Sequence, residues 1–174
     1  NQLGHHAAVD HMYRLVKTPW IFHCEDDWLF ENPIELNDLI KVLESENFIS
    51  SICFRNKSDF SLKPEEDKKV ITTSYCGLDF YRLDQIHDQW HGYTFNPHLT
   101  RIDLWQSIGP FSNFKKERHI SRAIHRGRNR WSRKAMTCCR NSSRHARIRR
   151  ASSARPSAPC APRSRRRPGA SLPA

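Results

Sequence analysis

Three adjacent carboxylates, Glu25-Asp26-Asp27, close a short and almost wholly apolar run, Trp20-Ile21-Phe22-His23-Cys24. Ionised together they repel one another, so their position calls for a cation, a shell of hydrogen-bond donors or open water. Hard divalent ions such as Mg²⁺ and Mn²⁺ prefer oxygen ligands and often bridge one or two carboxylates to substrate phosphates. The local chemistry therefore points to a metal–phosphate site, with a solvated acidic loop after a strand as the plainer reading. A second concentration of reactive types spans residues 85–100, where His87, Trp90, His91, Tyr93, Phe95 and His98 lie close together.

The elements around these residues follow an α/β order. Leu3 to Lys17 carries Ala7, Ala8, Met12, Leu15 and Val16 at spacings that predict an amphipathic helix. Thr18-Pro19 stops it, because the residue before a proline is disfavoured in a helix. The apolar run from Trp20 to Cys24 reads as a strand buried on both faces, the pattern of a parallel sheet. Its carboxylates then stand at the strand's C-terminal end, where ligands bind in open α/β sheets. Asn32-Pro33 signals a helix start, with Asn32 as cap and Pro33 in the first turn. Ile34, Leu36, Leu39, Ile40, Val42 and Leu43 supply its apolar face to about Ser45. Phe48 to Arg55 predicts a second strand, residues 56–67 a polar loop, and Val70 to Tyr75 a β-leaning segment. Thr100 to Ser107 predicts a short helix closed by Gly109-Pro110. Lys115 to Arg126 predicts another, with Gly127 as its left-handed cap.

Charge divides the chain. Residues 1–112 hold 10 Lys+Arg against 17 Asp+Glu, a net of −7, whereas residues 113–174 hold 19 against 1, a net of +18. The two recover the formal +11 of the whole, so the high isoelectric point belongs to the tail. From Arg128 onward Arg, Ser, Ala and Pro dominate, and there is no Asp, Glu, Phe, Tyr or Val. Such a segment has little apolar surface to offset chain entropy, and residues 128–174 are expected to be disordered. Arg outnumbers Lys 13 to 1 after Gly127, against 7 Arg and 8 Lys before it. A change that abrupt fits a shifted reading frame over GC-rich DNA; an authentic basic tail is the alternative. Cys24, Cys53, Cys76, Cys138, Cys139 and Cys160 show neither zinc spacing nor a disulfide framework. No signal-peptide pattern or membrane-spanning run is recognisable, and a reducing cytosol is the expected setting, with peripheral membrane attachment left open.

The run from Trp20 to Trp28 resembles the strand and Asp-x-Asp-type motif of glycosyltransferases with the A-type fold. Asn1-x-x-Gly4 and the Ala7–Val16 helix resemble the segment that leads into that strand in family 2 enzymes. Gly92-Tyr93-Thr94-Phe95-Asn96-Pro97-His98-Leu99 and Trp105-x-x-Ile108-Gly109-Pro110-Phe111 are similar to the acceptor-side region. Lys116-Glu117-x-x-Ile120 resembles the Glu-Asp-x-x-Leu element that bears the catalytic base. The resemblance covers most of residues 1–127, read as a partial catalytic domain, and none of residues 128–174.

The resemblance implies a Rossmann-like α/β domain with a mixed, mainly parallel sheet and an inverting transfer of sugar from a nucleotide-sugar donor to an acceptor hydroxyl. It implies Mn²⁺ or Mg²⁺ held by Glu25 and Asp27, with Asp26 at the donor's ribose or diphosphate and Glu117 as general base. Trp90, His91 and Tyr93 become an acceptor platform, since aromatic faces stack on sugar rings; a loop packed on the core is the plainer reading of each alone. The pattern departs at Glu25 and at Glu117, where the family more often carries Asp. The strands that would bind the nucleotide base have no counterpart in the sequence, so the chain reads as a fragment, inactive by itself, with an open sheet edge. His5, His6, His11, His23, His119 and His125 are read as surface or core residues before ligands, and Arg118, Arg122 and Arg126 as a solvated helix face that could meet phosphate. The competing function is non-catalytic, with the Arg-rich tail binding nucleic acid or anionic surfaces through counterion release.

Overall fold

The computed structural model describes residues 3–30, 33–87 and 90–126, and the backbone of residues 136–140 and 148–150. Helix α1 (His5–Arg14) leads into β1 (Trp20–His23), which a turn joins to β2 (Trp28–Phe30). Helix α2 (Leu36–Ser45) precedes β3 (Ile49–Cys53), and a one-turn α3 (Pro64–Asp67) precedes β4 (Ile71–Tyr75) and β5 (Leu78–Arg82). Then come β6 (His98–Arg101), α4 (Ile102–Ile108), α5 (Glu117–Arg126), β7 (Met136–Arg140) and β8 (Ile148–Arg150).

The architecture is mixed α/β, as expected, but the sheet is not mainly parallel. Its six strands run in the order β1-β6-β3-β7-β5-β4, and only β3 and β7 pair in parallel. The expectation rested on the apolar run of β1 being covered on both faces. Instead β1 alternates, with Ile21 and His23 buried and Phe22 40% exposed. It lies at the sheet's edge, where one face can stay open. Both β1 and β3 run antiparallel to β6, so they are parallel to each other with β6 between them.

Strand alternation sends two sets of side chains to opposite faces. Ile52 and Leu99 pack with Leu39, Val42 and Leu43 of α2. Ile21 faces the other way, into a core of Val9, Tyr13, Leu104, Phe111, Ile120 and Ile124 drawn from α1, α4, α5 and the turn after α4. Each of these large side chains contributes roughly 1.5–3 kcal/mol when removed from water.

Several boundaries and faces differ from expectation. The buried face of α1 is Val9, Asp10 and Tyr13, while Met12 and Leu15 are 51% and 66% exposed. The partners decide this: Tyr13 meets Trp105 and Phe111 edge-on, which fixes the helix's rotation. Helix α2 begins at Leu36 after Glu35, past Pro33, and Asn32 lies outside the described residues. The β-leaning segment proves to be a hairpin whose two-residue loop, Cys76 and Gly77, has φ of 50° and 76°. Positive φ at both loop positions matches the right-handed strand twist, and Gly77 supplies it without strain. Gly109, at φ 84°, ends α4 as expected, whereas Gly127 lies outside the described residues.

Residues 128–174, expected to be disordered, contribute two strands. Met136–Arg140 pairs with β3 and β5 inside the large sheet, and Ile148–Arg150 pairs with β2. Composition averaged over the tail hides Met136-Thr137-Cys138-Cys139, a short window free of proline and glycine that suits an extended backbone. The rest of the tail lies outside the described residues.

Candidate functional site

Glu25, Asp26 and Asp27 occupy the turn beyond the C-terminal end of β1, as the sequence predicts. Asp26 is exposed and its neighbours are half-buried, so water screens part of their mutual repulsion. The Glu25 carboxylate is bracketed: Trp28 donates its indole N–H to Oε2 at 3.4 Å, and the His5 Nδ1 stands 3.8 Å from Oε1. Burial, followed by the charges of Glu25 and Asp27, pushes the Cys24 thiol above its ordinary range.

Glu117 opens α5 with its side chain turned inward. Its Oε2 accepts the Phe95 backbone N–H at 3.1 Å, and the Thr94 side chain is a second donor. Burial raises its pKa most, and the Glu25 charge adds to this; the Phe95 and Thr94 bonds and His5 pull the other way without prevailing. Glu25 and Glu117, far apart in sequence, therefore sense one another across the fold. His5, 3.8 Å from Glu25, packs its ring edge-on at 4.8 Å against Phe95, the residue whose N–H Glu117 accepts. No local motif marks His5; only the packing of α1 beside β1 and α5 brings it there.

His23 faces the core, packed with Tyr13, Phe95 and His98. It is 5% exposed, with Nδ1 3.1 Å from the Tyr13 hydroxyl and its ring stacked on His98 at 4.9 Å. Burial lowers its pKa to about 4 and that of His98 to about 3, so both are neutral structural groups at pH 7.

The acceptor-side residues part company. Trp90 is half-buried, donates its indole N–H to the Tyr93 carbonyl at 2.7 Å and lies near the Phe60 ring. His91 donates its backbone N–H to Ser121 Oγ at 2.7 Å and stacks on His125 at 3.8 Å with 8° between planes. Tyr93 is 1% exposed, enclosed by Phe95, His98 and Phe111, and cannot serve as a surface platform. It is a core residue, because the sheet-facing side of its loop needs a large ring to fill the space under α5.

A cavity of about 370 Å³ opens between the start of α1 and the approach to α5. Gly4, His5, His6, Ala7, Ser112 and Lys115 line it, so it adjoins the Glu25–His5–Glu117 cluster. Among the described residues no group of three or more His, Cys, Asp or Glu side chains is placed to hold a metal ion. Glu25 and Asp27 offer oxygen donors on one turn, the ligand type that Mg²⁺ and Mn²⁺ prefer. Among the described residues, no helix is long and apolar enough to cross a membrane.

No family model, curated protein or solved structure matches the chain.

Proposed function

We propose that residues 1–127 carry the metal-binding and acceptor-side half of an inverting, divalent-metal-dependent glycosyltransferase that moves a sugar from a nucleotide-sugar donor to an acceptor hydroxyl. The observation that carries it is His5, which stands 3.8 Å from Glu25 and packs against Phe95, whose backbone N–H bonds Glu117, beside an open cavity. The resemblance assigns those two carboxylates to opposite sides of one reaction, and local sequence gave no reason for them to meet.

In this reading Glu25 and Asp27 hold the ion, which supplies charge neutralisation for the departing nucleoside diphosphate. Asp26, exposed on the same turn, faces the donor's ribose or diphosphate. Glu117 takes the proton from the acceptor hydroxyl as that oxygen attacks the anomeric carbon from the side opposite the leaving group. A raised pKa suits the task, since a base is most effective when its pKa approaches the working pH. The Phe95 N–H and Thr94 bonds fix the carboxylate's direction. Half-buried Trp90 and His91 border the acceptor.

Mn²⁺ titration of the chain followed by electron paramagnetic resonance, together with transfer assays over a panel of nucleotide sugars on an enzyme completed with nucleotide-binding strands, tests the proposal. Asp27→Ala is expected to abolish metal binding; retained affinity removes Asp27 from the site. Glu117→Gln is expected to leave metal binding intact while transfer falls by about 10²–10⁴-fold. Unchanged transfer in that variant would place the base elsewhere.

A further inference from the structure

The only acidic residue between 113 and 126 is Glu117, and it is turned inward. Around it Lys115, Lys116, Arg118 and Arg126 are exposed and Arg122 is half-buried, and none of the five forms an ion pair among the described residues. Arg118 and Arg122, four residues apart on α5, share a face about 6 Å along its axis. This concentration is local, because residues 1–112 are net acidic.

None of the five pairs with Glu25, Asp26 or Asp27 among the described residues. The cavity that Lys115 lines reaches the acceptor-side segment through His5 and His6, whose rings pack on Phe95. Lys115 lines the cavity together with His5, His6 and Ser112, and no carboxylate lines it. At the other end, His91 is stacked on His125, and its pKa is lowered by burial and then by His125 and Arg122 despite the opposing Asp84. The cations thus extend from Lys115 at the cavity to Arg122 near the His91–His125 stack. Keeping like charges together has a cost that an anion would offset, and such a field also concentrates anionic substrates.

We infer that the acceptor is anionic, carrying a carboxylate or phosphate that Lys115, Arg118 and Arg122 receive beside Glu117. The inference rests on the transferase reading and names the class of its acceptor. Lys115 holds the charged substituent at the cavity mouth, and the arginines hold a second charge further along α5. The reacting hydroxyl is left at Glu117, and an uncharged saccharide gains nothing from this surface.

Calorimetric titration of the full chain at low salt tests it, with tetragalacturonate, neutral maltotetraose, and vesicles of phosphatidylglycerol or phosphatidylcholine as probes. Either anionic probe is expected to bind at least tenfold more tightly than its neutral counterpart, and the arm that binds tells an acidic saccharide from a phosphate-bearing lipid surface. The triple variant Lys115→Gln/Arg118→Gln/Arg122→Gln is expected to lose that preference, while its thermal midpoint stays close to the parent's because Lys115 and Arg118 are exposed and half-buried Arg122 has no ion pair among the described residues. Lys41→Gln, on α2, is expected to retain it. A preference undiminished in the triple variant assigns the anion binding to the Arg-rich residues 128–174 and overturns the inference. Equal affinity for maltotetraose overturns it too. Mn²⁺ binding on the same samples separates the two ideas: intact metal binding without anion preference sinks only the acceptor class, whereas the reverse sinks the transferase reading.

Discussion

Asp10 and Glu117 are both turned into the protein from helices that flank the same core, yet they are handled in opposite ways. Asp10 is 1% exposed and accepts three hydrogen bonds: Trp105 Nε1–H at 2.8 Å, the Phe111 N–H at 2.7 Å and the Ser112 N–H at 2.8 Å. Burial pushes its pKa up, but those bonds together outweigh burial and hold it below the usual carboxylate value. Glu117 receives the Phe95 N–H and Thr94, faces the Glu25 charge and stays raised. Burial alone therefore says little about what a carboxylate does. A saturated donor shell holds Asp10 ionised as an anchor, whereas the sparser shell of Glu117 leaves burial and the Glu25 charge to raise its pKa.

The largest effect should come from breaking the anchor. Asp10→Ala leaves one buried donor, the Phe111 N–H, and two part-buried ones without their acceptor, at up to about 1–3 kcal/mol each before relaxation. A loss of about 3–5 kcal/mol is expected in urea melts, with Asp10→Asn intermediate because its amide oxygen keeps part of the shell. A loss below about 1 kcal/mol would show that the α1–α4 junction does not depend on Asp10, and the contrast with Glu117 would lose its structural half.

Asp10 also shows what the sequence conceals. Its partners lie about a hundred residues away, and an acidic residue inside a predicted amphipathic helix reads as solvent-facing. The same blindness assigned Met12 and Leu15 to the buried face, because the helix's rotation is set by Trp105 and Phe111 rather than by its own pattern. Elements with strong local signals were legible: β1 before its carboxylates, α2 from Leu39 to Leu43, Gly109 closing α4, and α5. Strand direction was not, since an apolar run of four or five residues suits an edge strand as well as a central one. In the candidate site, Glu25 and Glu117 were singled out by resemblance to motifs alone, whereas His5, 3.8 Å from Glu25, carried no local signal. Tyr93 was misplaced because an aromatic in a loop can face either way, and only the packing against His98 and Phe111 decides.

The next effect extends the structural half of the contrast to imidazoles. His98 and His23, stacked and buried, hold pKa values of about 3 and about 4 against an ordinary 6.5. Because the folded values are depressed, the unfolded chain binds protons first as pH falls below 6.5. Stability is then lost at on the order of 1.4 kcal/mol per pH unit for each ring until the folded values are reached. Asp10 reinforces the trend lower still, its contribution being present above its unfolded value of 3.8 and lost as pH falls through the folded one. Urea midpoints measured from pH 7 to pH 5 should fall steeply, and less so in His98→Gln. A flat profile would mean that the imidazoles are hydrated and do not belong with Asp10.

The smallest effect is the sharpest test, because the two carboxylates predict opposite signs. A raised folded pKa means that Glu117 favours folding most below its ordinary 4.5, and that this contribution disappears as pH rises through the folded value. At neutral pH the ionised side chain is buried and opposed by the Glu25 charge, with the Phe95 and Thr94 bonds only partly offsetting its desolvation. Glu117→Gln keeps an oxygen for the Phe95 N–H and removes the charge, so stability at pH 7 should be unchanged or higher by no more than about 1 kcal/mol. Below pH 4 the variant should hold no advantage, since the parent side chain is then protonated as well. Denaturant melts of parent and variant at pH 7 and pH 4 decide it. A variant destabilised at pH 7 by as much as Asp10→Asn would make Glu117 a second anchor, and its inward turn would then reflect packing of the 94–96 loop rather than readiness to take a proton.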